Sequence, residues 1–566
     1  MSVFKKKPLE HVVHQFDTLY ECVKGQAERY GDKARYIYTE NKEEKTVTFS
    51  DMLDRVNEVA SALSVLGLSG KAITVTGDTH PYYFATYFGT VACGGVIIPL
   101  DKDISAEQFV GFNDMCDVEC VVYTKSLKAK IDAVCDKLEK VRYFVIIGED
   151  NPRPDDARFM SFDEFLSRGK EAREAGDRTA EENVSDLDRT CAIIFTSGTT
   201  GTAKGVMLSE RNLVTAGLDS CDIMAVKKDD MFVSVLPAHH TYESTISHIA
   251  LPNTGATEAI NDSIKNTLRN FSKYKPTGLV LVPLYVETMH KKIWSEIEKK
   301  GKTIFVRRMI PIARRLPRPV RRRMFKDIID AFGGRLDFIV CGGAPLRAEL
   351  TQEFDAFGIN ICEGYGITEC APLISANPIN WKKYHSAGLV VKHMQARIDK
   401  ADEEDETGEI VVTGPAVMKG YYKNPEATAA VFTEDGWFRT GDIGYLDNDN
   451  FVFITGRKKN IILLSNGKNI FPEELEEYLS DSELVSEVVV VGRKRDDGET
   501  VITALIYPNK DAFVGKSAEE IEAALGEHIQ NVNKKLPIFK HISALEVRET
   551  EFEKTTTRKI MRYKIK

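Results

Sequence analysis

Three glycines, five hydroxyl residues and one lysine crowd into Thr196-Ser197-Gly198-Thr199-Thr200-Gly201-Thr202-Ala203-Lys204-Gly205, directly behind the apolar run Cys191–Phe195. Glycines let a backbone close on a polyphosphate, so that N–H groups and hydroxyls face its oxygens. A short β-branched run ending in such a turn predicts a buried strand leading into a phosphate loop. It is not a Walker loop, which needs glycine directly before the lysine and Ser or Thr directly after it. Here Ala203 and Gly205 fill those places, so the usual magnesium hydroxyl is missing.

Further segments follow in order along the chain. Cys341-Gly342-Gly343-Ala344-Pro345-Leu346 follows an apolar run and offers small residues against which a flat ring could lie. Glu363-Gly364-Tyr365-Gly366-Ile367-Thr368-Glu369 combines an aromatic ring, a hydroxyl and a carboxylate. Gly436-Trp437-Phe438-Arg439-Thr440-Gly441-Asp442 presents an aspartate after a tight turn, and Gly456-Arg457-Lys458-Lys459-Asn460 an arginine before a basic pair. Near the end stands Glu553-Lys554-Thr555-Thr556-Thr557-Arg558-Lys559-Ile560. Over residues 45–566 the set resembles the adenylate-forming enzymes: acyl-CoA synthetases, aryl-CoA ligases, firefly luciferase and peptide-synthetase adenylation domains.

That resemblance implies a two-step chemistry. A carboxylate attacks the α-phosphate of ATP, giving an acyl-adenylate and pyrophosphate, and a thiol then displaces AMP. Thr196, Ser197, Gly198, Thr199, Thr200, Gly201 and Lys204 would grip the outer phosphates. Gly343, Ala344, Tyr365 and Gly366 would receive the adenine, with Thr368 near the α-phosphate and Glu369 as the magnesium ligand. Asp442 and Arg457 would hold the ribose. Charge grows on the α-phosphate during attack, and the cation that meets it would be Lys559. The family tail reads Pro-Lys-Thr, two variable positions, Gly-Lys-Ile; here Glu553 replaces the proline and Arg558 the glycine. Lys459 would be the hinge of a mobile C-terminal domain. Gly467, within Ser465-Asn466-Gly467-Lys468-Asn469, matches the place that leaves room for pantetheine, although Asn-Gly is equally a plain hairpin turn.

For the acid, Leu236-Pro237-Ala238-His239-His240-Thr241-Tyr242-Glu243 resembles a pattern of long-chain fatty acyl-CoA synthetases. By that alignment His240 borders the acyl site, with His239 as the alternative, and Glu243 is structural or electrostatic. Leu284 stands where an arginine is common. The expected partners are a fatty acid, ATP, Mg2+ and CoA, with a free-standing acyl carrier protein as the alternative acceptor. A nucleotide sensor without catalysis would require loss of Lys559 or Glu369, and both are present. Arginines interleaved with apolar residues over 307–325 could hold the protein against an anionic membrane, or be a solvated cationic face.

The elements that must position these residues are legible in outline. At 566 residues the chain exceeds one core, and a net charge of −9 argues against a general nucleic-acid binder. Ten scattered cysteines without paired metal spacing read as reduced, buried thiols of a cytoplasmic protein. The N-terminus is basic but lacks the apolar segment of a signal peptide. Pro81–Leu100 is uncharged and long enough to span a bilayer, yet its proline and glycines favour a helix, Tyr82–Ala92, then a strand, Val96–Pro99. Ala34–Tyr38 and Lys45–Phe49 read as a hairpin joined by polar residues 40–44. Strands alternating with helices from Lys71 onward predict mostly parallel sheets covered on both faces. Alternation lapses near Val390 into short strands around an acidic turn. The fold class expected is α/β: a large N-terminal domain, residues 1–457, with alternating β/α sheets and a β-rich subdomain, and a small mobile α+β C-terminal domain, residues 458–566.

Overall fold

The computed structural model describes residues 12–196, 203–402, 404–464, 469–495, 500–554 and 560–565. These form two compact units: one takes the residues up to 395 together with 413–430, the other takes 396–412 and those from 431 onward.

In the first unit one sheet centres on Ala72–Thr76. Val96–Leu100 lies parallel on one side, and Val118–Thr124, Tyr143–Ile147 and Phe159–Ser161 lie parallel on the other. Beyond Val96–Leu100 come Thr190–Thr196, Lys204–Ser209 and Gly420–Tyr421. The uncharged run resolves into helix Pro81–Ala92 and strand Val96–Leu100, and every helix residue except Tyr82 is buried in protein. Its lack of charge reflects a core, reinforced where a Cβ on Gly89 would stand 2.5 Å from the Val59 side chain. No helix among the described residues is long and apolar enough to cross a membrane.

The second sheet of this unit runs Thr257–Ile260, Met231–Ser234, Gly278–Leu281, Phe338–Gly342 and Asn360–Gly366, all parallel. Ala34–Glu40 adds parallel to Thr257–Ile260, with Glu43–Thr48 antiparallel beyond it. The hairpin turn is only Asn41-Lys42, both at positive φ, tighter than the polar linker expected, because this two-residue geometry follows the strand twist. Helices on the sheet bury Leu279, Leu281, Ile339 and Ile361 against Val286, Leu350 and Phe354.

In the second unit Gly408–Thr413, Phe438–Leu446 and Phe451–Arg457 pair antiparallel in sequence. Further along, Val485–Lys494 pairs antiparallel with Thr500–Pro508, to which Ala544–Val547 adds in parallel. Helices Pro472–Ser480 and Ala518–Asn533 bury Leu475, Leu479, Leu525 and Ile529 against Val490, Ile502 and Ile506. Pro472 opens its helix with Glu473 and Glu474 in the first turn, where fixed φ and negative charge both suit a helix start.

Glu476 on that helix accepts from the Val490 N–H at 2.6 Å and pairs with Arg562. Burial pushes its carboxyl up to about 7, against the opposing pull of the Arg562 guanidinium and the Val490 N–H. A carboxyl whose folded value is raised binds its proton more tightly folded than unfolded, so stability falls as pH rises from the ordinary carboxylate range through the folded value. We expect the wild type to lose more thermal stability than Glu476→Gln between pH 5 and 7.5, as read by melting temperatures at the two pH values. Parallel pH dependences for the two proteins would contradict this.

Candidate active site

Thr190–Thr196 and Lys204–Ser209 pair antiparallel, with Thr196 opposite Lys204. The strands on either side of the glycine-rich stretch are therefore antiparallel neighbours in the sheet. The reason lies in the residues after that stretch: Val206 and Leu208 are fully buried, an alternation that sustains a strand before Ser209 caps helix Glu210–Met224. Ser209 and Asn212 cap it reciprocally, as a capping box. Ser197, Gly198, Thr199, Thr200 and Gly201 lie outside the described residues. Thr196 donates through Oγ1 to the Lys204 carbonyl at 3.4 Å.

The next strand in the sheet, Gly420–Tyr421, pairs with Met207 and Val206. The Lys204 ammonium sits 4.7 Å from the centre of the Tyr421 ring. The Tyr421 hydroxyl donates to Glu369 Oε1 at 2.8 Å. One tyrosine thus joins the lysine of the glycine-rich stretch to the carboxylate expected to bind magnesium. Burial first, then the negative charge of Glu369, push the Tyr421 phenol up, so it stays protonated and donates. The turn Thr368–Cys370 carrying Glu369 is fixed by two further bonds, from Met418 N to the Glu369 carbonyl at 2.8 Å and from Ile367 N to the Pro372 carbonyl at 2.9 Å. Gly366 is required there: a Cβ would stand 1.8 Å from the Pro372 carbonyl oxygen.

The remaining candidates of this unit lie at the carboxyl ends of parallel strands, where open α/β sheets bind ligands. Met231–Ser234 leads to His239 and His240, Phe338–Gly342 to Gly343 and Ala344, and Asn360–Gly366 to Thr368. Gly343 and Ala344 are exposed, whereas Tyr365 keeps only 9% of its surface. His240 caps helix Thr241–Thr245, its Nδ1 accepting from the Tyr242 N–H at 3.2 Å. His239 instead points Nε2 at Asp101, 3.6 Å away, and burial pulls its pKa below the usual imidazole value. Tyr242 donates to the carbonyls of Leu281 and Val340, each at 3.1 Å, and so ties the histidine turn to two strand ends. Glu243 is fully buried and accepts from Ser234 and Ser247. Its place inside the protein fits the structural or electrostatic role expected for it.

In the second unit Asp442 and Arg457 are direct partners on adjacent strands, with Nε and Oδ1 2.5 Å apart. Thr440 Oγ1 accepts from the Asp442 N–H at 3.1 Å, and Gly441 between them takes a positive φ within strand Phe438–Leu446. Lys459 is exposed in the short turn Lys458–Asn460, while Lys458 pairs with Glu409 at 2.8 Å. Of the tail, Lys554 pairs with Glu487 and forms an antiparallel bridge with Ile560. Lys559 and Gly467 lie outside the described residues.

The sequence matches the AMP-binding enzymes over residues 23–422 and the AMP-binding enzyme C-terminal domain over 459–566. The chain belongs to the AMP-binding enzyme family, the adenylate-forming enzymes. Among its relatives is a long-chain-fatty-acid–CoA ligase, FadD15, of Mycobacterium bovis, 29% identical over 85% of this chain and 81% of that one. Another is the chloroplastic long-chain-fatty-acid–[acyl-carrier-protein] ligase AEE15 of Arabidopsis thaliana, 26% identical over 86% and 75%. The fold matches that of the anthranilate CoA ligase AuaEII in complex with anthranoyl-AMP, with a TM-score of 0.77 at 19% identity over 98% and 97% of the two chains.

Sequence reasoning missed Tyr421 and Tyr242. Tyr421 reaches Glu369 across 52 positions and Tyr242 reaches Val340 across 98, so no local spacing announces either contact. The Gly420-Tyr421-Tyr422 run, glycine then two aromatics, was the only trace of the first.

Proposed function

We propose that this AMP-binding enzyme is an acid–thiol ligase that activates a fatty acid, of long chain, as its acyl-adenylate and transfers the acyl group to CoA. The supporting observation is the linkage of Lys204 through Tyr421 to Glu369, which joins the lysine of the glycine-rich stretch to a carboxylate in the turn that also carries Thr368.

In the first step a carboxylate oxygen forms a bond to the α-phosphorus of ATP, and the bond to pyrophosphate breaks. In the second, the thiol sulfur of CoA bonds to the acyl carbon and AMP leaves. Activation is needed because a carboxylate oxygen leaves poorly, whereas AMP in a mixed anhydride leaves well. Lys204 and the hydroxyls around it hold the outer phosphates, Thr368 lies beside the α-phosphate, and Asp442 with Arg457 holds the ribose. Lys559 meets the charge that develops during attack. Glu369 is a hard oxygen donor of the kind Mg2+ prefers, with one oxygen oriented by Tyr421. Magnesium, when bound, supplies charge neutralisation of the phosphates. We place the hinge at Lys459 and assign residues 458–566 to the mobile domain carrying Lys559.

His240 borders the acyl site in this reading, and the fatty-acid ligases among the relatives support the substrate class. The carrier-protein ligase favours a second acceptor, an acyl carrier protein. Pyrophosphate release from ATP with medium-chain, long-chain and aryl acids, each with CoA, with carrier protein or with neither, tests both. The expected result is release that rises with chain length and turns over with CoA. Turnover with aryl acids alone would overturn the substrate class, and turnover with carrier protein alone the acceptor. For the second step, Gly467→Leu should leave acyl-adenylate formation intact and cut thioester formation at least about 10-fold, since one bulky side chain fills the pantetheine path. Unchanged thioester synthesis would remove Gly467 from that path.

A further inference from the structure

Between Lys299 and Lys326 the chain carries twelve lysines and arginines and no aspartate or glutamate, within a protein of net charge −9. The structure separates these cations into two groups. Arg318, Arg321 and Arg322 turn inward. Arg318 donates to the Gly358 carbonyl at 3.0 Å and pairs with Asp337 at 2.6 Å. Arg321 donates to the Asp355 carbonyl and Arg322 to that of Leu336, each at 2.6 Å. These three fasten helix Arg318–Met324 to the unit and are not a surface for anything else.

Helix Thr303–Ala313 is different. Its buried side is Val306 and Ala313, packed into the core cluster. At 100° per residue, Ile304, Arg308 and Ile312 fall on the opposite side with Phe305 at its edge, and Arg315 continues that line past the helix end. All five are exposed, with Ile304 at 70%, Phe305 at 64% and Ile312 at 51% of their full surface. Val320, on the following helix, is exposed too. Large apolar side chains on the outside of a helix lose the gain of burial unless something covers them.

We infer that this outer face of helix Thr303–Ala313 docks on an anionic lipid bilayer. The apolar side chains enter the acyl boundary while Arg308 and Arg315 lie level with the phosphates. The concentration of positive charge selects the occupant. Arg308 and Arg315 would repel their counterparts on a second copy of the same face, whereas anionic headgroups neutralise them and leave the apolar side chains to be buried. The helix lies in the interface plane rather than crossing it, as its eleven residues require. Lipid binding is read without substrate, so its failure and failure of the ligase assignment are separate results.

The test is flotation of the full chain with vesicles of phosphatidylcholine alone or mixed with phosphatidylglycerol, at low and high salt. The wild type should float with the mixed vesicles, bind phosphatidylcholine far more weakly, and be released by salt. Arg308→Glu with Arg315→Glu should weaken binding about 30-fold or more. Phe305→Ser with Ile312→Ser should weaken it about 10-fold and leave less salt-resistant binding. Melting temperatures should be unchanged in both, because all four side chains are exposed. Equal binding to both vesicle types, no flotation at all, or charge reversal without effect would each overturn the inference. So would a dimer that the Ser variants dissociate without any change in flotation, which would assign the face to a second copy.

Discussion

Replacing Lys559 by alanine is expected to lower acyl-adenylate formation by about 10³-fold while a supplied acyl-adenylate still reacts with the thiol at the wild-type rate. The asymmetry follows from where charge changes. Attack on the α-phosphate gathers negative charge on its oxygens, and a positioned cation stabilises that arrangement far more in a water-poor site than in solvent. In thioester formation charge gathers first on the acyl oxygen and passes to the AMP phosphate only as AMP leaves, and AMP leaves well unaided, so a cation such as Lys559 at the phosphate would matter far less there. Measuring pyrophosphate release for the first half-reaction, and AMP release from added acyl-adenylate for the second, separates the two. Equal loss in both would mean that Lys559 supports the fold or a shared binding step.

The second large effect is expected at Glu369. Glu369→Gln keeps an oxygen to accept from Tyr421 but removes the negative charge that would hold magnesium. Adenylate formation should fall about 10²-fold or more, since loss of metal charge stabilisation is worth several kcal/mol. The magnesium concentration giving half-maximal rate should rise with it. Tyr421→Phe leaves the carboxylate in place and deletes one hydrogen bond to a charged group, worth about 1.5–3 kcal/mol. Its cost should therefore be no more than about 10²-fold, with a smaller change in the magnesium requirement. If Tyr421→Phe proved as damaging as Glu369→Gln and neither altered that requirement, the carboxylate would be a structural anchor.

Which parts of this were legible beforehand follows from the range of the interactions. The buried helix Pro81–Ala92 was readable despite its transmembrane-like composition, because Pro81 and the pair Gly94-Gly95 punctuate it locally. The cap of helix Glu210–Met224 is likewise local, since Ser209 and Asn212 lie three residues apart. The course of the chain after Thr196 was not legible. Gly205–Leu208 is short enough to read as the end of a loop, and only the register Thr196 opposite Lys204 makes it a strand. The arginines of 307–325 formed one basic stretch in sequence. Three of them proved to be committed to the backbone carbonyls of Leu336, Asp355 and Gly358, partners that periodicity cannot supply. Asp442 and Arg457 were singled out as separate ribose ligands, and their strand register makes them a pair. A pair so close holds each side chain in one orientation, which lowers the entropy lost when a ligand is bound.

Attack of the carboxylate itself on the α-phosphate can be followed by supplying a fatty acid labelled with 18O in both carboxylate oxygens, together with ATP, Mg2+ and CoA, and reading the products by mass. One labelled oxygen should leave in AMP for each thioester formed, with none in pyrophosphate. Label in inorganic phosphate, or unlabelled AMP beside the thioester, would contradict the adenylate route.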